Sequence, residues 1–85
     1  MKHSYYKLVL DIAFKHGISM PSYEEQLTNN ASLLAICVDE LLVDELIEHG
    51  FQENCELNLY GQQIESAIDY YNRKRYALQM ELPDV

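Results

Sequence analysis

The chain has 85 residues, 48% of them hydrophobic, with three glycines, two prolines and a formal net charge of −8 at pH 7. A chain of this length buries roughly 60–65% of its unfolded surface, enough for one modest core, and the scarcity of glycine and proline disfavours a turn-rich β fold, so we expect one helical domain over residues 1–85. The longest apolar run covers only residues 33–38, whereas a membrane-spanning helix needs ~20 such residues, so we expect no membrane span.

Two helices are predicted in the first third of the chain. The first covers residues 4–16, with Ser4 as its N-cap and Gly17 just after a cationic last turn, which is the usual way for a helix to end. The second is short, residues 22–28, and begins with the S-x-x-E capping box that starts at Ser22.

A third helix is predicted over residues 31–49, capped by Asn30 and ended by Gly50. At ~100° per residue its apolar side chains cover about half of the circumference. That predicted arc consists of Ala35, Ile36, Val38, Leu42, Val43, Leu46 and Ile47. Asp39 falls within the arc. Because a buried lone carboxylate is costly, we expect Asp39 to be paired or to lie at the edge of the arc.

The segment 51–57 is predicted to be a loop, and a fourth helix is predicted over residues 58–81 between Asn58, its N-cap, and Pro83. Its predicted inner face repeats at a spacing of four and three residues, with Arg75 at one of these positions: Tyr60, Ile64, Ala67, Tyr71, Leu78 and Leu82. Ile68 broadens this face. The predicted fold class is therefore all-α, a small four-helix domain with three longer helices and one short one.

The charges are unevenly distributed along the chain. Residues 16–72 hold eleven carboxylates and no lysine or arginine. Glu40, Asp44 and Glu48 form an i,i+4 stripe on the third helix, where like charges destabilise a helix by a few tenths of a kcal/mol per pair. A partner of opposite charge would relieve this repulsion, so the sequence predicts a basic protein partner.

Motifs for catalysis or metal binding are not found in the sequence. It has no C-x-x-C, H-E-x-x-H or calcium-loop pattern, no Ser-His-Asp signature and no phosphate-binding glycine loop. His16 and His49 each precede a glycine and are interpreted as cations at helix ends. We therefore predict no catalytic residues, metal or cofactor, no small-molecule ligand, and a protein that is not an enzyme.

The cysteines and the N-terminus bear on location. Cys37 lies in an apolar helical run and is interpreted as a core residue, and Cys55 lies between helices. The apolar stretch after the basic N-terminus is interrupted by Lys7 and Asp11, which is not typical of a signal peptide. We expect a cytoplasmic protein whose two thiols do not form a disulfide.

The basic cluster at residues 73–75 has two interpretations. In the favoured one it neutralises Asp69, with Arg73 at i+4, and the end of the fourth helix. In the alternative it clamps onto the acidic middle of the chain. Direct binding of nucleic acid is not expected, because phosphates repel an acidic body.

Most of the aromatic residues are tyrosines: the chain has seven of them, two phenylalanines and no tryptophan. Core packing is the favoured interpretation for three of them: Tyr5, Tyr60 and Tyr71. For the other four, core packing and partner contact remain open: Tyr6, Tyr23, Tyr70 and Tyr76. Tyrosine is common at interface hot spots because it is large, rigid and amphipathic.

A small, acidic, four-helix chain with a tyrosine pair resembles the immunity proteins of bacterial nuclease toxins, of the colicin and contact-dependent-inhibition kinds. Such proteins block a basic nuclease by covering its active site or its substrate surface. The colicin DNase branch uses an acidic helix and a tyrosine pair, so the resemblance implies these roles for Glu40, Asp44, Glu48 and the pair Tyr70-Tyr71. In that branch the pair lies in a short helix followed by proline, whereas here it lies within a long predicted helix. The resemblance is therefore to immunity proteins as a class and not to that branch.

Partner-binding residues predicted from charge and resemblance together are Glu40, Asp44, Glu45, Glu48, Glu53, Glu56, Tyr70 and Tyr71. Three other functions are kept as alternatives: a DNA mimic or anti-defence regulator, a small helical adaptor or oligomerising protein, and a metal-dependent enzyme.

Overall fold

The computed structural model describes the backbone of residues 5–81 and the side chains of residues 5–79. The predicted N-cap Ser4, the core position Leu82 and the helix stop Pro83 lie outside these residues. The helical elements in chain order are α1 (Tyr5–His16), α2 (Glu24–Thr28), α3 (Ala31–Ala35), a π-helical segment π1 (Ile36–Leu42), α4 (Val43–His49) and α5 (Leu59–Glu81).

The all-α fold with four helices is confirmed, because α3, π1 and α4 follow one another without a break and form one long helix. Across residues 5–81 no strand is present, and the predicted loop between the third and fourth helices contains one antiparallel bridge, between Phe51 and Leu57. None of the helices in this part of the chain is both long enough and apolar enough to cross a membrane.

Two predicted helix caps are confirmed by their hydrogen bonds. The backbone N–H of Leu33 donates to Asn30 Oδ1 at 3.1 Å, and the backbone N–H of Gly61 donates to Asn58 Oδ1 at 2.6 Å. Each asparagine oxygen thus satisfies an N–H group that the first turn of its helix leaves without an internal partner. Gly17 ends α1 with φ of +70°, the left-handed conformation expected after a helix.

The predicted start of the second helix is wrong by two residues. Helix α2 begins at Glu24 and its N-cap is Tyr23, whose backbone N–H donates to Gln26 Oε1 at 3.4 Å. The side chain three residues after the cap therefore closes the first turn, so Ser22 is not the cap. Glu24 and Glu25 occupy the first turn, where carboxylates interact favourably with the helix dipole.

The third predicted helix departs from α geometry at its centre. In π1 each hydrogen bond spans five residues, as between the N–H of Val43 and the carbonyl of Val38. A π turn is wider than an α turn, so the spacing from Glu40 in π1 to Asp44 in α4 is not a regular i,i+4 step. The prediction of one unbroken α-helical stripe of acids is therefore wrong in its first step.

The predicted apolar arc of this helix is also rotated from the face that is buried. Ile47, which was assigned to the arc, is 65% exposed, and Ala35, Ile36, Val43 and Leu46 are partly exposed. The fully or nearly fully buried positions are Leu34, Cys37, Val38, Leu41, Leu42 and Glu45.

Segment π1 lies at the centre of the fold, with α1 and α5 packed against it and α2 packed against α3 and α5. Its buried side chains join one core cluster with residues of the other helices: Tyr6, Val9, Ile12, Ala13, Leu27, Leu34, Ile64, Ala67 and Tyr71. The predicted inner face of the last helix is confirmed at Ile64, Ala67 and Tyr71, with Tyr60, Ile68 and Leu78 packed at its margin.

Helices α4 and α5 approach closely at two glycines. A Cβ atom on Gly61 would lie 2.1 Å from the carbonyl oxygen of Gly50, so only glycine fits at position 61. The N–H of Asn58 donates to the same Gly50 oxygen at 2.9 Å, and Asn58 Nδ2 donates to the carbonyl of His49 at 3.0 Å. This junction fixes the end of α4 against the start of α5.

Candidate functional site

A fully buried carboxylate, Glu45 on α4, is the centre of a polar network among three helices. Lys15 Nζ donates to Glu45 Oε2 at 2.5 Å, and Tyr60 Oη donates to the same oxygen at 2.7 Å. His16 Nε2 lies 2.9 Å from Glu45 Oε1. The last turn of α1 and the first turn of α5 are thereby joined to α4.

The partners of Glu45 determine its ionisation. Burial alone would raise the pKa of the Glu45 carboxyl, but hydrogen bonds from His16, Lys15 and Tyr60, together with the charge of Lys15, lower it to about 2. Burial and the hydrogen bond to Glu45 raise the pKa of the Tyr60 hydroxyl. Glu45 is therefore ionised, and Tyr60 a proton donor, at neutral pH.

The prediction that Glu45 faces a partner is wrong, because its carboxylate is inside the fold and both oxygens are bound by Lys15, His16 and Tyr60. A sequence signal for its burial exists. Glu45 continues the spacing of four and three residues set by Leu34, Val38 and Leu41. Lys15, His16 and Tyr60 were not predicted to meet a carboxylate, since their contacts span 15 to 30 residues of sequence.

Metal ligation is the other chemistry that this cluster offers. Ligand atoms of His16, Glu45 and Glu48 lie within 4.8 Å of one another. The Lys15 ammonium, however, is 2.5 Å from Glu45 Oε2, and its positive charge would repel a divalent cation there. The arrangement thus favours an internal ion-pair network that positions the helices, and it disfavours a metal centre.

A second polar feature is the acidic surface, defined as the exposed side chains of Glu40, Asp44, Glu48, Glu53 and Glu56. It occupies the solvent side of π1 and α4 and the turn that follows α4. Every residue of this set was predicted to face a partner.

The lysines and arginines among residues 5–79 have other contacts. Four of them form ion pairs with carboxylates that are not part of the acidic surface: Lys7 with Asp11 at 3.7 Å, Lys15 with Glu45 at 2.5 Å, Arg73 with Asp69 at 2.8 Å and Arg75 with Asp39 at 3.3 Å. The fifth, Lys74, lies 5.2 Å from the ring centroid of Tyr70. His49 Nε2 lies 3.9 Å from Glu48 Oε1.

The Arg75–Asp39 pair resolves two predictions. Asp39 is exposed and paired with Arg75, which confirms the expectation that it is paired or at an edge. Arg75 uses both terminal nitrogens, at 3.4 and 3.3 Å, to clamp α5 onto π1. Each interpretation of the basic cluster therefore holds for one of its arginines, because Arg73 neutralises Asp69 while Arg75 is an internal clamp.

The predicted tyrosine pair is divided between core and surface. Tyr71 is fully buried and its hydroxyl donates to Glu24 Oε2 at 2.7 Å, so the prediction that Tyr71 contacts a partner is wrong and its interpretation as a core residue is confirmed. Tyr70 is half-buried, 5.3 Å from the ring of Tyr5 and beside Lys74. Neither of these contacts belongs to the acidic surface.

Only some of the remaining tyrosines are packed in the core. Tyr6 is buried, and Tyr60 is half-buried with its hydroxyl on Glu45. Three are exposed: Tyr5, Tyr23 and Tyr76. The prediction that Tyr5 is a core residue is therefore wrong, because its ring packs at the surface against Tyr70.

Two depressions on the described surface are shallow. One depression of about 320 Å³ is lined by Tyr5, Leu59, Gln62, Gln63 and Ser66, and another of about 330 Å³ is lined by Glu65, Ser66 and Asp69. Both are open to solvent, whereas sites for small organic ligands bury most of the ligand surface. The acidic surface is therefore the stronger candidate for function.

Comparisons with protein-family models, with curated proteins and with solved structures find no match to this chain. The fold and the site together define a small all-α domain whose described residues carry an exposed acidic surface on π1, α4 and the turn after α4.

Proposed function

We propose that the protein binds and neutralises a basic protein partner through the acidic surface, and that it acts as an immunity protein against a nuclease toxin in the cytoplasm. The observation that carries this proposal is the pairing pattern. Within residues 5–79 the ion pairs of lysine and arginine go to carboxylates outside the acidic surface. Glu40, Asp44, Glu53 and Glu56 are exposed and form no ion pair with these lysines and arginines.

The position of these carboxylates supports recognition. Glu40, Asp44 and Glu48 project from the long helix whose opposite side is packed in the core. Their backbone is thus held in place before a partner arrives, which lowers the entropy lost on binding. Carboxylates concentrated on one surface also attract a basic protein over a distance and raise its association rate.

A nuclease suits this surface because it must be basic to hold phosphate. Ordered carboxylates compete for the same cationic groups and thereby exclude the nucleic acid. Fast association matters for such an inhibitor, since the toxin would act on the cell that makes it. The resemblance to nuclease-toxin immunity proteins supports the same function.

The proposal is tested by searching the genes beside this one for a basic toxin domain and producing that domain together with this protein. Co-expression of the two chains should protect cells from killing, and the purified chains should form a complex whose affinity falls as salt concentration rises. A gene neighbourhood without a basic toxin domain, together with no protection in the killing assay, would contradict the proposal.

Charge-reversal variants show whether the acidic surface is the interface. Glu40→Lys with Asp44→Lys should lower the association rate about tenfold or more at low salt and leave the fold intact. Glu25→Lys with Glu65→Lys is the matched control, because it alters net charge equally at two exposed acids outside the acidic surface. Equal effects of the two variants would contradict an interface at Glu40 and Asp44.

A further inference from the structure

An exposed isoleucine stands beside the acidic surface. Ile47 is 65% exposed on α4, although isoleucine is among the residues most often buried in proteins. Val43, one turn earlier, is half-buried, and Phe51, just after the end of α4, is 46% exposed. These three residues carry apolar surface along the outer side of α4 and its end.

The apolar and acidic residues of α4 are neighbours. On an α-helix, residues three and four apart lie on the same side, so Ile47 is adjacent to Asp44 as well as to Val43. Glu48 follows Ile47 directly. Ile47 therefore shares its side of the helix with the carboxylate of Asp44, one turn earlier, while Glu48 points about 100° away.

Contacts of Glu45 and of Gly50 hold α4 in place. Glu45 is fixed by Lys15, His16 and Tyr60, and Gly50 is in backbone contact with Gly61. An apolar side chain that is already positioned loses little freedom on binding, which is a property of interface hot spots surrounded by polar groups.

We infer that Ile47 is the apolar anchor of the acidic surface, and that the partner's basic surface carries an apolar pocket bordered by lysine or arginine side chains. This inference rests on the proposed function and adds to it an apolar contact, which charge complementarity alone does not specify. Charge complementarity selects the occupant: Asp44 and Glu48 favour cationic groups around the pocket, and they disfavour nucleic acid and a second copy of this acidic chain.

The test uses two synthetic helical peptides of equal positive charge. One combines lysine with leucine on one face, and the other combines lysine with alanine only. The leucine peptide should bind the wild-type protein about tenfold more tightly in a fluorescence anisotropy titration, and Ile47→Ser should remove that difference because the isoleucine side chain is no longer buried on binding. Circular dichroism should show an unchanged fold, since Ile47 is exposed.

Phe14→Ser is the matched control, because Phe14 is 89% exposed on α1, a helix that carries none of the residues of the acidic surface. It should leave the binding of both peptides unchanged. Equal loss from Phe14→Ser and Ile47→Ser, or equal binding of the two peptides by the wild type, overturns the anchor. A dimer of the wild type that Ile47→Ser dissociates in sedimentation also overturns it, because a second copy would then be the occupant.

Glu40→Gln with Asp44→Asn separates this inference from the proposed function. The variant should weaken both peptides about equally, since each carries the same charge. If neither peptide responds to the loss of these carboxylates, the proposed function fails as well. If both respond but Ile47→Ser has no effect, only the anchor fails.

Discussion

Lys15 and Glu45, 30 residues apart in sequence, form an ion pair in which Nζ lies 2.5 Å from Oε2. The Glu45 side chain is fully buried while that of Lys15 is 51% exposed, so the charge of the lysine remains partly in water. An ion pair of this kind loses less solvation than one buried on both sides. It joins the last turn of α1 to α4 at the point where Tyr60 of α5 also binds the carboxylate.

Glu45→Gln should lower the free energy of unfolding by about 2–4 kcal/mol, because the neutral amide cannot pair with Lys15 and leaves a buried polar group with weaker partners. Asp44→Asn is the control at the neighbouring exposed position and should change stability by less than about 0.5 kcal/mol. Urea denaturation followed by circular dichroism measures both. Equal stability of the two variants would show that the Glu45 network is not structural.

The depressed pKa of Glu45 predicts a loss of stability in acid. Its carboxyl has a pKa of about 2 in the folded protein, against 4.5 as the ordinary value. Because the folded-state pKa is the lower one, the stabilisation is fully present above pH 4.5 and is lost as pH falls towards 2. The shift corresponds to about 3 kcal/mol.

Urea unfolding at several pH values between about 6 and 2 measures this effect. The difference in unfolding free energy between wild type and Glu45→Gln should shrink as pH falls, because the variant lacks the titrating group. Other carboxylates titrate in both proteins and cancel in the difference. A difference that stays constant over this pH range would contradict the low pKa.

Local signals in the sequence predicted the helix ends well. Asn30 and Asn58 cap their helices through hydrogen bonds to a residue three positions on, and Gly17 adopts the left-handed conformation after α1. Such interactions depend on a few consecutive residues, so they can be predicted from a short sequence pattern. The shift of the second helix start to Glu24 followed from a competing local interaction, the side chain of Gln26.

The face that the third helix buries could not be predicted in the same way. Apolar residues fill positions 33–38 and 41–43 of this helix, so its rotation depends on where α1 and α5 pack and on the wider turn of π1. The same packing buries Glu45 and exposes Ile47. Five of the predicted partner-binding acids are exposed, Glu40, Asp44, Glu48, Glu53 and Glu56, and their contact with a partner stays a prediction, whereas Glu45 and Tyr71 are buried.

Gly61→Ala should destabilise the protein by about 2 kcal/mol or more, although alanine is better than glycine within a helix by about 1 kcal/mol. The new Cβ would lie 2.1 Å from the Gly50 carbonyl oxygen, so α4 and α5 must move apart. Gly17→Ala is the comparison, since no atom lies within 4 Å of its Cβ and only the left-handed φ of +70° is unfavourable. It should cost about 1 kcal/mol in thermal or urea unfolding. A stabilising Gly61→Ala would contradict the close approach.

The two cysteines should differ strongly in reactivity. Cys37 is fully buried in π1, and burial raises the pKa of its thiol to about 12, so neither access nor ionisation favours reaction. Cys55 is exposed in the turn between α4 and α5. A thiol reagent should therefore label one cysteine of the native protein rapidly, and Cys55→Ser should remove that fast phase.

Labelling of Cys37 should follow unfolding instead. Its rate should rise with urea concentration in parallel with the unfolded population, and Glu45→Gln should accelerate it in water because that variant unfolds more often. Mass spectrometry of the labelled peptides distinguishes the two sites. Rapid labelling of Cys37 in the native protein would show that π1 opens without global unfolding, and would contradict its place at the centre of the core.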